Sequence, residues 1–320
     1  MKRLFKWAVI LILAALIGGF AVGYTPDTDP AAMRAKYASA ASQFVDLGGG
    51  LKTHVRDEGK RDGPALLLIH GSNSSLQTWE PWVARLGGKY RIISLDLPGH
   101  GLTGADPTGD YHYARYVDVV DQVMTKLAVP VFAVAGNSMG GGVAWHYVIA
   151  HPSRVSALVL VDAAGVPAWQ AKKAPIGFRI ARMPVIRNLA EYITPRSIIE
   201  DSLKTSVSNQ AVVTKVAVDR YWELLRYPGN RRATLDRFAL VHNVEPATKE
   251  AMAGIKVPTL VMWGDEDNLI PVSSARWFAG AIAGSKLVIY PGVGHVPMEE
   301  TADQSASDVD AFLGAALSAP

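Results

Sequence analysis

A serine with glycine at both second neighbours, Gly136-Asn137-Ser138-Met139-Gly140, is the stretch of this chain that most directly implies chemistry. A hydroxyl held at the apex of a tight, strained turn leaves no room for side chains two residues before and after it. In a chain of 320 residues with 29 glycines the pattern alone arises by chance about 0.15 times. The setting carries more weight. The apolar run Val131 to Ala135 leads into the motif and the helical stretch Met139 to Ala150 leads out of it. Strand, sharp turn and helix would aim the Met139 amide and the positive end of the helix at a developing oxyanion.

A serine hydroxyl becomes a nucleophile only when a base takes its proton. Of eight histidines, His295 has the most suitable setting. It lies in Gly292-Val293-Gly294-His295-Val296-Pro297, a loop after the last apolar run, where glycines free the backbone to present the ring. His70 and His100 sit beside glycines after earlier strands and are expected to shape loops. The base needs a carboxylate to hold its tautomer, and three aspartates are candidates: Asp267, Asp265 and Asp162. Asp267 is preferred, because it follows the run Thr259 to Trp263 with Gly264 before it and Pro271 after. A second oxyanion donor is expected from His70-Gly71-Ser72-Asn73, so the amides of Ser72 and Met139 form the expected oxyanion hole. Asn73 and Trp79 are expected to line the substrate mouth.

These residues follow strands. The apolar runs at 65–69, 90–95, 131–135, 157–161, 259–263 and 287–290 are short, bounded by Gly, Pro or Asp, and separated by helical stretches. Such runs indicate a mainly parallel sheet covered by helices on both faces, with ligands beyond the carboxyl ends of its strands. Phe44 to Leu47 and Leu51 to Arg56, around a triple-glycine turn, read as a hairpin. Between Asp162 and Thr259 the alternation gives way to helical periodicity with several prolines. Residues 166–255 are therefore expected to form a helical cap inserted into a core made of 44–165 and 256–320.

Composition removes whole classes of function. Lys and Arg exceed Asp and Glu by only three, too few for a nucleic-acid face. No cysteine is present, which excludes disulfides, thiolate metal sites and a thiol nucleophile. The amino end differs from the rest: Lys2, Arg3 and Lys6 precede an uncharged apolar run from Trp7 to Val22. Residues 1–25 are expected to be a transmembrane anchor, or a signal peptide cleaved near Ala21-Val22-Gly23, followed by a tether over 26–43. An anchor would place the catalytic domain on the non-cytoplasmic side of the membrane. Cleavage would leave it secreted or periplasmic.

Residues 44 to 316 resemble the α/β-hydrolase family in order and spacing. The resemblance rests on His70-Gly71, Asp96-Leu97-Pro98-Gly99-His100-Gly101, the serine turn, and Gly264 to Asp267 with Gly294-His295. It implies an α/β fold and a Ser138, Asp267, His295 triad acting on carboxylic esters through an acyl-enzyme, with no cofactor and no metal. Lactonase or thioesterase action would use the same machinery. Hydrolases of carbon–carbon bonds in ring-fission products share a Gly-Asn-Ser-Met-Gly-Gly turn like residues 136 to 141. The loop after His70 lacks their glycine-proline pattern, however, and Val296 stands where they usually have tryptophan, so that activity is the second reading. A member turned non-catalytic binding protein is the alternative outside enzymes.

Overall fold

The computed structural model describes residues 2–167, 183, 186–240 and 246–318. Eight strands form one sheet in the order β1-β2-β4-β3-β5-β6-β7-β8. They are β1 (Ser42–Gly48), β2 (Leu51–Gly59), β3 (Ala65–Ile69), β4 (Arg91–Leu95), β5 (Phe132–Asn137), β6 (Val155–Val161), β7 (Thr259–Gly264) and β8 (Lys286–Tyr290). The hairpin β1–β2 and the β2–β4 contact are antiparallel; every later pairing is parallel. The mainly parallel sheet that the apolar runs imply is thus present.

Why these runs are strands is visible in where alternate residues go. Leu67, Ile69, Phe132, Val134, Leu158 and Leu160 enter one core cluster, and Leu66, Leu68, Ala133, Ala135, Ala157 and Val159 enter another. Side chains of a strand alternate between faces, so a strand apolar at every position can only be buried on both. The first cluster packs against α4 (Tyr113–Lys126), α5 (Met139–Ala150) and α11 (Ser273–Ala281). The second packs against α3 (Glu80–Leu86) and α12 (Ala302–Leu317), and it contains Trp79 and Trp82 together with the small Ala133, Ala135 and Ala157.

Between β6 and β7 the described residues carry α6 (Ile186–Ala190), α7 (Arg196–Ser206), α8 (Lys215–Leu225), α9 (Asn230–Leu240) and α10 (Lys249–Ala253). Residues 168–182, 184–185 and 241–245 of the expected cap lie outside the described residues. Backbone groups of two core loops bond to the insertion. His295 N–H donates to the Ser206 carbonyl at 2.8 Å, and Asn230 Nδ2 donates to the Gly101 carbonyl at 3.0 Å.

The amino end begins with α1 (Lys2–Gly23), a helix of 22 residues, which at 1.5 Å per residue spans about 33 Å. Among the described residues, no helix is long and apolar enough to cross a membrane. The following segment holds α2 (Pro30–Tyr37), capped by Asp29. It is bonded to the insertion throughout: Thr28 N–H donates to the Arg226 carbonyl at 2.9 Å, Arg231 pairs with Asp27 at 2.7 Å, and Lys36 and Tyr37 both donate to Glu223 at 2.6 Å.

One close approach holds the two loops at the ends of β7 and β8 together. A Cβ added at Gly264 would lie 2.0 Å from the Gly294 carbonyl oxygen and 2.3 Å from that of Val293. Gly264→Ala is therefore expected to destabilise the fold by about 3 kcal/mol, read as a lower urea midpoint. An unchanged midpoint would show that the loops can separate without cost.

Candidate active site

Ser138 stands between β5 and α5 with φ 53° and ψ −120°, a left-handed backbone that costs a non-glycine residue about 1–3 kcal/mol. The turn is held by its own amide donating to the Val161 carbonyl at 3.0 Å, and by its carbonyl accepting from Gly142 and Ala164 at 3.1 and 2.9 Å. Gly136 and Gly140 permit it: a Cβ at the first would meet the Gly140 carbonyl oxygen at 2.2 Å, and one at the second the Ile69 oxygen at 2.2 Å. The end of β3 is thereby pressed onto the serine turn. A Cβ at Gly71 would sit 3.2 Å from that of Ser138.

His295 is brought to the same place by the residue before the serine. Asn137 Nδ2 donates to the His295 carbonyl at 3.0 Å and to that of Val161 at 3.2 Å. The His295 ring is 2.7 Å from Asp267 through Nδ1. Because a carboxylate accepts, Nδ1 carries the proton and Nε2 keeps its lone pair, the tautomer a general base needs. The fully buried Asp267 is fixed through its other oxygen, which accepts the amides of Leu269 at 2.7 Å and Ile270 at 3.0 Å. Asp265 is turned elsewhere, accepting the Gly292 amide at 2.8 Å.

Asp162 is close but makes different bonds. It is fully buried, with φ 46°. Oδ1 accepts the Gly264 amide at 3.1 Å, while Oδ2 has no hydrogen-bond partner. Burial, and after it the charge of Asp267, holds this carboxyl well above the usual carboxylate range. Asp162, Asp267 and His295 bring ligand atoms within 4.8 Å of one another, but His295 and Asp267 already spend theirs on each other.

Of the expected oxyanion donors, Met139 follows the serine, and Ser72 follows Gly71, where an added Cβ would lie 3.2 Å from that of Ser138. Met139 opens α5, where a helix leaves its first amides unpaired, and among the described residues the Ser72 amide has no acceptor. His70 shapes this loop. Its Nδ1–H donates to the Gly71 carbonyl at 2.7 Å and its Nε2 accepts the Leu97 amide at 3.0 Å. Burial holds its imidazole below the usual range, and so neutral. Asn73, with φ 58°, accepts on its amide oxygen from Thr234 Oγ1 at 2.8 Å and Arg237 Nη2 at 2.7 Å. Trp79 is 0% exposed and stacks at 5.0 Å on Trp82 in the core. It lines no open mouth. A cavity of about 220 Å³ opens beside Gln77, Glu80, Arg220 and Glu299; its walls include none of Ser138, Asp267 or His295.

Sequence reasoning missed a second serine, histidine and aspartate in series. Ser42 Oγ lies 2.8 Å from His54 Nε2, and His54 Nδ1 lies 2.7 Å from Asp96. Asp96 also accepts the amides of Leu76 and Leu102, each at 2.8 Å. This chain of bonds ties the β1–β2 hairpin to the loops after β3 and β4. Ser42 opens an extended strand with no helix behind it, so it lacks the turn and the amides that surround Ser138. The only sequence signal for it is the aspartate that begins Asp96-Leu97-Pro98-Gly99.

The alpha/beta hydrolase fold model matches residues 64–302. A 2-hydroxymuconate semialdehyde hydrolase from a Pseudomonas species is 28% identical over 84% of this chain and 93% of that protein. Lipase 3 from a Moraxella species is 28% identical over 84% of this chain and 83% of that protein. A crystal structure described as a membrane phospholipase A superposes with a TM-score of 0.76 and 26% identity, covering 100% of both chains.

Asp162 yields a test. Its folded pKa lies above its unfolded one, so its contribution to stability is full below the ordinary value of 3.8 and is lost as pH rises toward the folded value. Asp162→Asn keeps the shape without the charge. It should raise Tm on the order of 3 °C at pH 8, with the gain shrinking toward pH 4. A lower Tm at pH 8 would mean that the ionised carboxylate is itself stabilising.

Proposed function

The chain belongs to the α/β-hydrolase fold family, and from that premise we propose that it is a serine hydrolase cleaving carboxylic esters through an acyl-enzyme on Ser138. The observation that carries this is the 2.7 Å bond from His295 Nδ1 to Asp267, which leaves Nε2 basic on a loop tied to the serine turn by Asn137. His295 takes the Ser138 proton as Oγ adds to the ester carbonyl. The oxyanion is held by the amides of Ser72 and Met139 until the carbonyl reforms and the alcohol leaves with the proton from His295. Water then repeats the sequence on the acyl-enzyme, releasing the acid and restoring the serine.

The lipase among the relatives and the membrane phospholipase A spanning the same full length support esters of lipids as the substrate class. The residues between β6 and β7 would form the cap above the site, and the amino-terminal segment would direct the hydrolase domain to the non-cytoplasmic side of a membrane, as a retained anchor or a cleaved signal peptide. The semialdehyde hydrolase relative favours one second reading, carbon–carbon bond hydrolysis with the same serine. A ring-fission product offered beside p-nitrophenyl esters separates the two.

Ser138→Ala should stay folded and lose about 10⁴-fold or more of ester turnover. Asp267→Asn should lose about 10³ to 10⁴-fold, because the histidine is left in the wrong tautomer, while Asp162→Asn should cost little. If the two aspartates rank the other way, the triad acid is Asp162. The lack of cysteine gives a direct test of sidedness. A single cysteine placed at exposed Ser318 should react in intact cells with an impermeant maleimide that reaches only the non-cytoplasmic face. Reaction only after lysis would place the domain inside.

A further inference from the structure

Arg237, on the inserted helix α9, is 5% exposed. Its Nη2 donates to Asn73 Oδ1 at 2.7 Å, its Nη1 donates to His100 Nε2 at 2.9 Å, and its Nε has no partner. Both acceptors are neutral groups. His100 gives its own Nδ1–H to the Pro98 carbonyl at 3.1 Å, so Nε2 is its acceptor nitrogen. Among the described residues no carboxylate pairs with the guanidinium. Taking a cation out of water without a counter-charge costs several kcal/mol, so packing alone does not account for an arginine at this position.

What the arginine holds is specific. Asn73 is one of four non-glycine residues with positive φ among those described. It follows Ser72 directly, and its amide oxygen is clamped by two donors from α9, Thr234 and Arg237. The position of the Ser72 amide therefore depends on a side chain whose conformation is set from the insertion. The same charge reaches the loop from below, since burial and then Arg237 hold His100 well below the usual histidine range.

We propose that Arg237 is a positioning residue for the oxyanion hole, fixing Asn73 from the inserted helix and thereby aiming the Ser72 amide. The inference rests on the acyl-enzyme reading given above. It makes the insertion part of the rate-determining machinery: α9 must be seated for the oxyanion hole to be complete. Interactions realised in the transition state lower kcat when lost, whereas those made equally to bound substrate raise KM.

The test compares full-length wild type, Arg237→Met, Arg237→Gln and Thr234→Val. It measures kcat and KM on a p-nitrophenyl ester, inhibition by an alkylboronic acid that forms a tetrahedral adduct on serine, and Tm. Arg237→Met should lower kcat by about 10²-fold with KM within about threefold and boronate affinity falling in parallel. Its Tm should stay within about 4 °C. Arg237→Gln, which retains a donor toward Asn73, should recover part of the loss, and Thr234→Val should lose less than Arg237→Met. Unchanged kcat in Arg237→Met overturns the proposal, and so does a loss that follows Tm while boronate affinity is kept. Wild type that neither binds the boronate nor is labelled at Ser138 by a fluorophosphonate removes the acyl-enzyme reading, and this inference with it. A responsive wild type with an unresponsive Arg237→Met removes only the inference.

Discussion

The left-handed turn at Ser138 is the constraint from which the rest of the site follows. A non-glycine residue holds φ 53° only when its surroundings over-determine it, and here three backbone hydrogen bonds and two neighbouring glycines do so. The contacts that permit the turn also bring the loop after β3 against it from one side. From the other side the Asn137 amide binds the carbonyl of His295. Strain in the backbone is thus the means by which residues more than two hundred positions apart in sequence are set around one hydroxyl.

Electrostatics divides three aspartates that occupy similar places in the chain. Asp267 accepts two amides and the histidine. Asp162, a few ångströms away, accepts one amide and faces another carboxylate, so burial and repulsion favour its neutral form. Asp96 binds a histidine just as Asp267 does, but its partner His54 meets a serine in an extended strand. Three carboxylates behind imidazoles or beside them therefore have different uses, set by which donors the loops supply.

The parallel part of the sheet was legible because β3, β5, β6 and β7 are apolar at nearly every position, and only burial on both faces accommodates that. Observed strands start or end within a few residues of the runs from which they were read, as at Ala65–Ile69 and Thr259–Gly264. The serine turn was legible because its glycines are neighbours in sequence. What could not be read was anything fixed by contact between the insertion and the core. Asn73 resembled a free polar residue at a mouth, since the Arg237 and Thr234 that occupy its oxygen lie more than 150 residues away. Trp79 resembled a lining aromatic because no local pattern reveals that it is buried in the core beside Trp82. Nor does a string of residues show that Asp162 has one donor while Asp267 has three.

The claim on which this account stands is that one serine, Ser138, is activated as a nucleophile. It is tested most directly by treating the full chain with a fluorophosphonate and mapping the adduct by peptide mass spectrometry. A single adduct is expected, on the peptide carrying Ser138, and none in Ser138→Ala. No adduct, or an adduct at Ser42 beside His54 and Asp96, would contradict it.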